Sequence, residues 1–134
     1  MYYRQFFTLV APLALALLCG AVQAQTTAAE QIAGYVAQSG QPAQNARGQE
    51  FFTSKHGKEW SCSTCHTSNP LGEGKHATTG KVISPMAPAA HPQRFTDAAK
   101  TEKWFRRNCN DVVGRECTPA EKADFISWLL SLKP

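Results

Sequence analysis

Residues 62–66 read Cys-Ser-Thr-Cys-His, and this C-x-x-C-H pattern limits the fold more strongly than any other feature of the 134-residue sequence. The pattern is the signature of covalent haem attachment. Two cysteines three positions apart on a helical turn can bond the two vinyl groups along one edge of a porphyrin, and the next residue then lies beneath the iron. The sequence therefore predicts one covalently bound haem c, attached through Cys62 and Cys65, with His66 as an axial iron ligand.

Two other chemistries use closely spaced cysteines. A zinc site could take its four ligands from the cysteines at positions 62, 65, 109 and 117. Thiolates that are exported to an oxidising compartment do not persist, so a zinc site is disfavoured. A thioredoxin-like redox pair would require a βαβ context, which the sequence pattern lacks.

The N-terminal segment has the features of a secretory signal peptide. Arg4 precedes an apolar stretch, Phe6–Leu18, and the small-residue pattern Val22-Gln23-Ala24 follows. We predict that residues 1–24 are removed and that residues 25–134 form one domain. The apolar stretch is shorter than the roughly 18 residues that a membrane span needs, although an uncleaved anchor helix is the alternative. The mature chain is therefore expected to be soluble and periplasmic, with no membrane span.

Composition excludes several classes of protein. With 43% hydrophobic and 18% charged residues, the chain suits one small globular domain. The formal net charge of +4 is small compared with the concentrated basic surface of a nucleic-acid-binding protein, so no nucleic-acid partner is expected.

The periodicity of apolar residues predicts an all-α fold. Helices are expected at about residues 28–38, 46–55, 97–110 and from 119 towards the C-terminus. Thr27 with Glu30, and Thr118 with Glu121, form capping boxes at two of the predicted helix starts. Residues 67–92 form a long loop with four of the eight prolines, and wrapping a large ligand would explain its length. We therefore predict a class I cytochrome c-like arrangement, with about four helices around one covalently bound haem.

A second pair of cysteines lies outside the motif. Cys109 and Cys117 enclose nine residues, counting both ends, and neither is followed by a histidine. A disulfide is the expected state in an oxidising compartment, and two unrelated buried thiols are the alternative. The bridge would tie the end of the third predicted helix to the start of the last.

The second axial ligand of the iron decides the function. Met86, in a proline-flanked loop, could supply the thioether typical of electron-transfer cytochromes, although packing against the porphyrin is an ordinary role for methionine. The other histidines are also candidates, although their polar surroundings are typical of solvated loops: His56, His76 and His91. Asn108 shares a predicted helix face with Phe105, but an asparagine at a helix end is more often a cap or turn residue. From the residues alone, the choice stays open.

Several runs of residues, most of them in the C-terminal third, match a known family pattern. The longer runs are Arg94-Phe95-Thr96-Asp97, Glu102-Lys103-Trp104, Arg107-Asn108-Cys109-Asn110, Cys117-Thr118-Pro119 and Glu121-Lys122-Ala123-Asp124. Shorter ones are Ile32-Ala33-Gly34-Tyr35, Arg47-Gly48 and Gly80-Lys81. Together they resemble the sphaeroides haem protein (SHP) family, class I c-type cytochromes with an asparagine axial ligand.

The resemblance implies a set of site residues. It makes His66 the proximal ligand and Asn108 the distal ligand of ferric iron, and it implies that Cys109 and Cys117 are bridged. In that family the asparagine leaves on reduction, and the ferrous iron binds oxygen or nitric oxide. Met86 is the alternative ligand. Arg107 or Asn110 could then donate a hydrogen bond to a bound diatomic molecule.

These observations lead to an expected function and to three alternatives. We expect an electron-transfer haem protein that binds O2 or NO, and not an enzyme, since no acid–base pair is evident beside the motif. The alternatives are a His/Met electron shuttle using Met86, a small haem oxidoreductase acting on a diatomic or a reactive oxygen or nitrogen species, and a haem-free disulfide module.

The expected partners follow from the same function. They are a redox protein, such as a multihaem or membrane-linked c-type cytochrome, and small diatomic ligands, and the chain is expected to be a monomer. The third predicted helix carries a basic cluster of Lys100, Lys103, Arg106 and Arg107. This cluster is either a solvated face, a docking face for an acidic redox partner, or a set of charges that neutralise the haem carboxylates.

Overall fold

The computed structural model describes residue 1, residues 25–57 and residues 59–134, and within these ranges the chain forms five helices and one small sheet. The helices are α1 (Ala28–Ser39), α2 (Asn45–Thr53), α3 (Cys62–His66), α4 (Ala98–Val112) and α5 (Pro119–Ser131). The antiparallel strands are β1 (Gly74–Lys75) and β2 (Val82–Ile83). In these ranges no helix is both long and apolar enough to cross a membrane. The predicted signal peptide lies outside the described residues.

The predicted all-α class is confirmed, and the structure adds two short elements. The four predicted helices correspond to α1, α2, α4 and α5, with ends that differ by one or two residues. The haem motif forms a helix of its own, α3, and the predicted loop 67–92 contains the β1–β2 hairpin. Elements as short as these carry too few residues to produce a recognisable periodicity.

Side-chain caps explain where three of the helices begin. Thr27 accepts a hydrogen bond from the backbone N–H of Glu30 at 3.1 Å, and the Glu30 carboxylate accepts one from the N–H of Thr27 at 2.7 Å. Thr118 starts α5 with the same reciprocal pair of bonds, and Asp97 accepts the N–H of Lys100 at the start of α4. Such caps satisfy N–H groups that have no partner within the helix. Helix α2 follows Gln44 without a side-chain cap, and Asn45 is its first residue.

The core is built around α5, which packs against α1 and α2. This helix buries Phe125, Trp128 and Leu129, and Ile126 is fully buried beside them. Phe52 from α2 is also fully buried, and its ring centroid lies 4.9 Å from that of Trp128. Burial of these large side chains supplies most of the driving force for packing the helices.

One glycine and one ion pair hold α2 close to α5. A Cβ at Gly48 would lie 2.6 Å from the carbonyl carbon of Asp124 and 2.9 Å from the Cβ of Trp128, so only glycine permits this crossing. The buried Asp124 carboxylate accepts hydrogen bonds from Arg47 Nε at 2.6 Å and from the backbone N–H of Gln44 at 2.6 Å. The buried charge is thus paired and hydrogen-bonded, as burial of a carboxylate requires.

Candidate haem site

A cavity of about 620 Å³ lies between α3, the β1–β2 hairpin, the segment that precedes α4, and α4 itself. Its volume falls within the roughly 300–1,000 Å³ that is usual for small-molecule and cofactor sites. Cys62, Cys65 and His66 line this cavity, and so does Asn108. The fold thus brings together the motif and the ligand implied by the family resemblance.

Helix α3 presents the motif to the cavity. The backbone N–H of Ser61 donates to Thr64 Oγ1 at 3.0 Å, which closes the first turn. Cys62 and Cys65 stand three positions apart, on one face of the turn, and both thiols are free. Burial raises the pKa of Cys62 to about 11, so its sulfur is a neutral thiol and not a metal-binding thiolate at neutral pH. The zinc alternative also needs Cys109 and Cys117, which are joined in a disulfide, and the described residues contain no cluster of His, Cys, Asp or Glu that could hold a metal ion.

Strand β1 fixes the position of α3 through a very close backbone contact. A Cβ at Gly74 would lie 2.9 Å from the Cα of His66 and 3.1 Å from the carbonyl carbon of Cys65, and it would be closer still to the Cys65 carbonyl oxygen. Only a residue without a side chain can occupy this position. Nothing in the sequence pattern distinguishes Gly74 from the neighbouring Gly72, so this requirement was not predicted.

The imidazole of His66 is in the state that iron coordination requires. Burial, and then the positive charge of Arg94, lower the pKa of His66 to about 4. The ring is therefore neutral at pH 7 and keeps a nitrogen lone pair. Its centroid lies 6.5 Å from that of the buried Phe52, which ties the motif to the core.

Asn108 lies on the cavity side of α4. Thr101 and Phe105, on the same helix face, are buried, whereas Asn108 is exposed and lines the cavity. Its amide makes no hydrogen bond to any residue that the structure describes. A disulfide joins the next residue, Cys109, to Cys117 with their Cα atoms 5.7 Å apart. The backbone beside Asn108 is thereby tied to the start of α5, while the amide itself is free to bind a ligand.

The remaining ligand candidates are placed differently. Met86 is half-buried and lines the cavity, and its N–H donates to the Pro70 carbonyl at 2.9 Å. His56, one of the candidate ligands, does not line the cavity. Its Nε2 lies 2.7 Å from the Phe51 carbonyl oxygen and its ring packs on the Phe51 ring at 4.5 Å. These contacts turn the imidazole towards α2.

Two histidines share the cavity with Met86. His91 lines it from the segment that precedes α4. His76 also lines it, but its Nδ1 accepts the backbone N–H groups of Thr78 at 3.3 Å and Thr79 at 3.2 Å. A neutral ring in this arrangement carries its proton on Nε2, which leaves no free lone pair for iron. The two contacts to Nδ1 therefore disfavour His76 as an axial ligand.

Of the two candidate donors to a bound diatomic molecule, one lies outside the cavity. Asn110 does not line the cavity, and its amide donates to the carbonyl of Arg106 on its own helix at 2.7 Å. Arg107 does line the cavity, and its guanidinium carbon lies 5.6 Å from the centroid of the Trp104 ring. Of these two candidate donors, only Arg107 therefore borders the cavity.

The segment before α4 holds functional residues that sequence reasoning missed. Arg94 donates to the carbonyls of Pro85 at 2.9 Å and Ser84 at 2.8 Å, and so fastens the loop that carries Met86. Phe95 has a φ of 60°, which is strained for a bulky residue. Its carbonyl accepts a hydrogen bond from the buried amide of Gln31 at 2.8 Å. These long-range contacts have no counterpart in local sequence.

The donor set fits a haem. The cavity offers two thiols for its vinyl groups, a neutral imidazole for its iron, and apolar walls that include the rings of Trp60 and Phe125. Haem also carries two carboxylates. Arg94 lines the cavity, is half-buried, and forms no ion pair with a carboxylate of any described residue. Burial lowers the pKa of Arg94 because it disfavours the charged guanidinium. A nearby haem carboxylate would offset that cost by pairing with the charge.

Comparison with known proteins identifies several relatives of this chain. A family model described as a domain of unknown function (DUF1924) matches residues 38–129. The chain is 50% identical over 119 residues to the cytochrome c-type protein SHP of Cereibacter sphaeroides. This alignment covers 85% of this chain and 92% of that protein. It is 49% identical over 80 residues to cytochrome c'' of Methylophilus methylotrophus, in an alignment that covers 60% of this chain and 56% of that protein.

Solved structures show the same relationship. The structure of oxidised SHP, described as an oxygen-binding cytochrome c, superposes with a TM-score of 0.76 at 50% identity and covers 80% of this chain and 98% of that chain. Oxidised cytochrome c'' superposes with a TM-score of 0.69 at 39% identity and covers 80% of this chain and 95% of that chain. The conserved all-α fold and the high identity over most of the length lead to one conclusion: this chain belongs to the SHP family of c-type cytochromes.

Proposed function

We propose that this protein is a periplasmic mono-haem cytochrome c that transfers single electrons and binds O2 or NO when reduced. Cys62 and Cys65 attach the haem covalently, His66 is the proximal ligand and Asn108 the distal ligand. When bound, the haem supplies one-electron exchange and a coordination position for a diatomic molecule. The observation that carries the proposal is that the three motif residues and the distant Asn108 line one cavity.

The chemistry of the Asn108 amide supports a ligand that depends on oxidation state. Its oxygen is a hard, neutral and weak donor, which suits ferric iron better than the softer ferrous iron. The disulfide at Cys109 keeps the helix backbone in place, so the side chain can turn away without unwinding α4. Since the amide has no hydrogen bond to any described residue, no such bond has to break for it to move. Arg107 is the remaining donor that could bind a diatomic molecule.

A His/Met electron shuttle is the second candidate, because Met86 lines the same cavity. A thioether holds iron low-spin in both oxidation states, and it would leave no position for O2 or NO. The loop of Met86 is held at both sides, by the Pro70 carbonyl and by Arg94. This loop can therefore present a sulfur in one fixed place, as a permanent ligand requires.

The other expectations follow the relatives. SHP is described as oxygen-binding, which supports diatomic ligands for this chain. We propose a carrier and ligand-binding role without enzymatic turnover, a monomeric state, removal of residues 1–24 on export, and a multihaem or membrane-linked c-type cytochrome as redox partner.

Spectroscopy of three proteins tests the proposal. Mass spectrometry of the purified protein should show one added haem and no free thiol at Cys62 or Cys65. Resonance Raman spectra should show six-coordinate ferric and five-coordinate ferrous haem in the wild type. Asn108→Ala should lose the six-coordinate ferric form, and Met86→Leu should keep it. Six-coordinate low-spin ferrous haem that disappears in Met86→Leu would instead establish the His/Met shuttle.

A further inference from the structure

Helix α4 carries an exposed basic face of which the proposed ligand chemistry uses only Arg107. Lys100, Lys103, Trp104 and Arg107 follow the i, i+3, i+4, i+7 spacing, so they share one side of the helix. All four are exposed, and the large ring of Trp104 is 43% exposed. We call these four residues the α4 basic face. A tryptophan surrounded by three cations is unusual for a merely solvated helix surface, because tryptophan and arginine are enriched in protein interfaces.

The cations of the α4 basic face are not neutralised by nearby acids. Among the described residues, none of the three cations forms an ion pair. Glu102, on the same helix, is bound elsewhere: its carboxylate accepts Lys122 Nζ at 2.7 Å and the Tyr35 hydroxyl at 2.5 Å. Asp97 is used as the cap of α4, and Asp111 is the one acid that follows the face, one turn after Arg107. The face therefore keeps an excess of positive charge.

The face also lies at the edge of the proposed haem site. Lys100, Trp104 and Arg107 line the cavity, whereas Lys103 lies outside it. The Arg107 guanidinium carbon is 5.6 Å from the Trp104 ring centroid, which orients the cation beside the ring. A protein docked on this face would be separated from the cavity only by side chains that line it. That is the position that short-range electron transfer requires.

We propose that the α4 basic face is the docking site for an acidic electron-transfer protein, whose carboxylates surround an apolar centre that covers Trp104. This inference rests on the proposed electron-transfer function. Opposite charges steer two proteins into the correct encounter and raise the association rate, and the effect falls steeply with ionic strength. A protein is favoured over an anionic membrane because the face has only three cations, with an acid at one end, and lies at the edge of a redox site.

Stopped-flow reduction of the haem-loaded protein by a strongly acidic [2Fe–2S] ferredoxin tests the proposal. Lys103→Glu is the variant, because Lys103 does not line the cavity. Lys133→Glu is the matched control, since it changes the net charge equally but lies beyond α5. At low salt, Lys103→Glu should slow reduction roughly fivefold, and Lys133→Glu by less than roughly twofold. At about 0.5 M salt, where charges are screened within a few ångströms, the three rates should converge.

Two further measurements make the outcomes decisive. Neutral reduced lumiflavin should reduce all three proteins at the same rate, which shows that the haem site is intact. Equal slowing of the two variants by ferredoxin, or no dependence on salt, would overturn the docking site. Lys103-dependent binding to phosphatidylglycerol vesicles without an effect on ferredoxin would assign the face to membranes and also overturn it. A preparation without haem would overturn the proposed function and, with it, this inference.

Discussion

Substitution of Gly74 by alanine tests whether β1 holds the haem-attachment helix in place. The added Cβ would lie 2.9 Å from the Cα of His66, whereas ordinary contact begins at 3.4 Å. The strand and α3 would therefore have to separate by about 0.5 Å or more, and the carbonyl oxygen of Cys65 demands a larger shift. All the opposing atoms belong to backbone, so no flexible side chain can turn away to make room.

The expected cost follows from the cost of overpacking a tightly packed site. Such insertions typically destabilise by roughly 1–3 kcal/mol, and we expect Gly74→Ala to cost about 2 kcal/mol. For a domain of this size, each kcal/mol lowers Tm by roughly 4–8 °C, so Tm should fall by about 10 °C. Because the shift is applied at His66, the Soret band should change as well.

Gly72→Ala, two residues earlier in the same loop, is the matched control. Its Cβ would meet only the Asn69 carbonyl oxygen, at an ordinary 3.6 Å. This variant should be as stable as the wild type or gain up to roughly 1 kcal/mol, since alanine reduces the entropy of the unfolded chain. Thermal unfolding of the haem-loaded proteins, followed by circular dichroism, measures both. Equal Tm values for the two variants would refute the close contact between β1 and α3.

Three further predictions concern stability. Gly48→Ala should destabilise the fold by roughly 2 kcal/mol or more, because its Cβ would lie 2.6 Å from a carbonyl carbon of α5. In the control Gly34→Ala, the Cβ meets nothing within 4 Å, so this variant should gain roughly 0.5–1 kcal/mol of stability. Urea denaturation measures both. Cys117→Ser should cost roughly 2–3 kcal/mol, and an unchanged urea midpoint would contradict the loop-entropy reasoning. Burial alone would raise the pKa of Glu102. The hydrogen bonds to its carboxylate, the largest from Lys122, outweigh burial, so the pKa lies below the ordinary value of 4.5. This carboxylate stabilises the fold above pH 4.5 and less as pH falls through its folded-state pKa, so Tm of Glu102→Gln should decline less steeply than that of the wild type between pH 6 and pH 3.

The correct sequence predictions concern features that depend on neighbours in the chain. The capping pairs at Thr27 and Thr118 involve residues three positions apart, and both helices begin where the pairs predict. The resemblance to the SHP family, carried by short runs such as Arg107–Asn110, is confirmed by identity over most of the chain. The candidates that the structure places elsewhere differ in side-chain direction: His56, one of the open ligand candidates, packs on Phe51 of α2, and Asn110, one of two candidate donors, bonds to its own helix.

What the sequence alone determined is the chemistry that a few neighbouring positions can carry: two thiols and an imidazole within the five residues 62–66, and helices with their own caps. Only the tertiary structure decided which distant groups face that turn, because Asn108 lies 42 positions after His66 and the chain between them could fold back in many ways. Packing of backbone against backbone at Gly74, and the bonds of Arg94, select one of them. Local spacing sets which atoms are available, and long-range packing sets which of them meet.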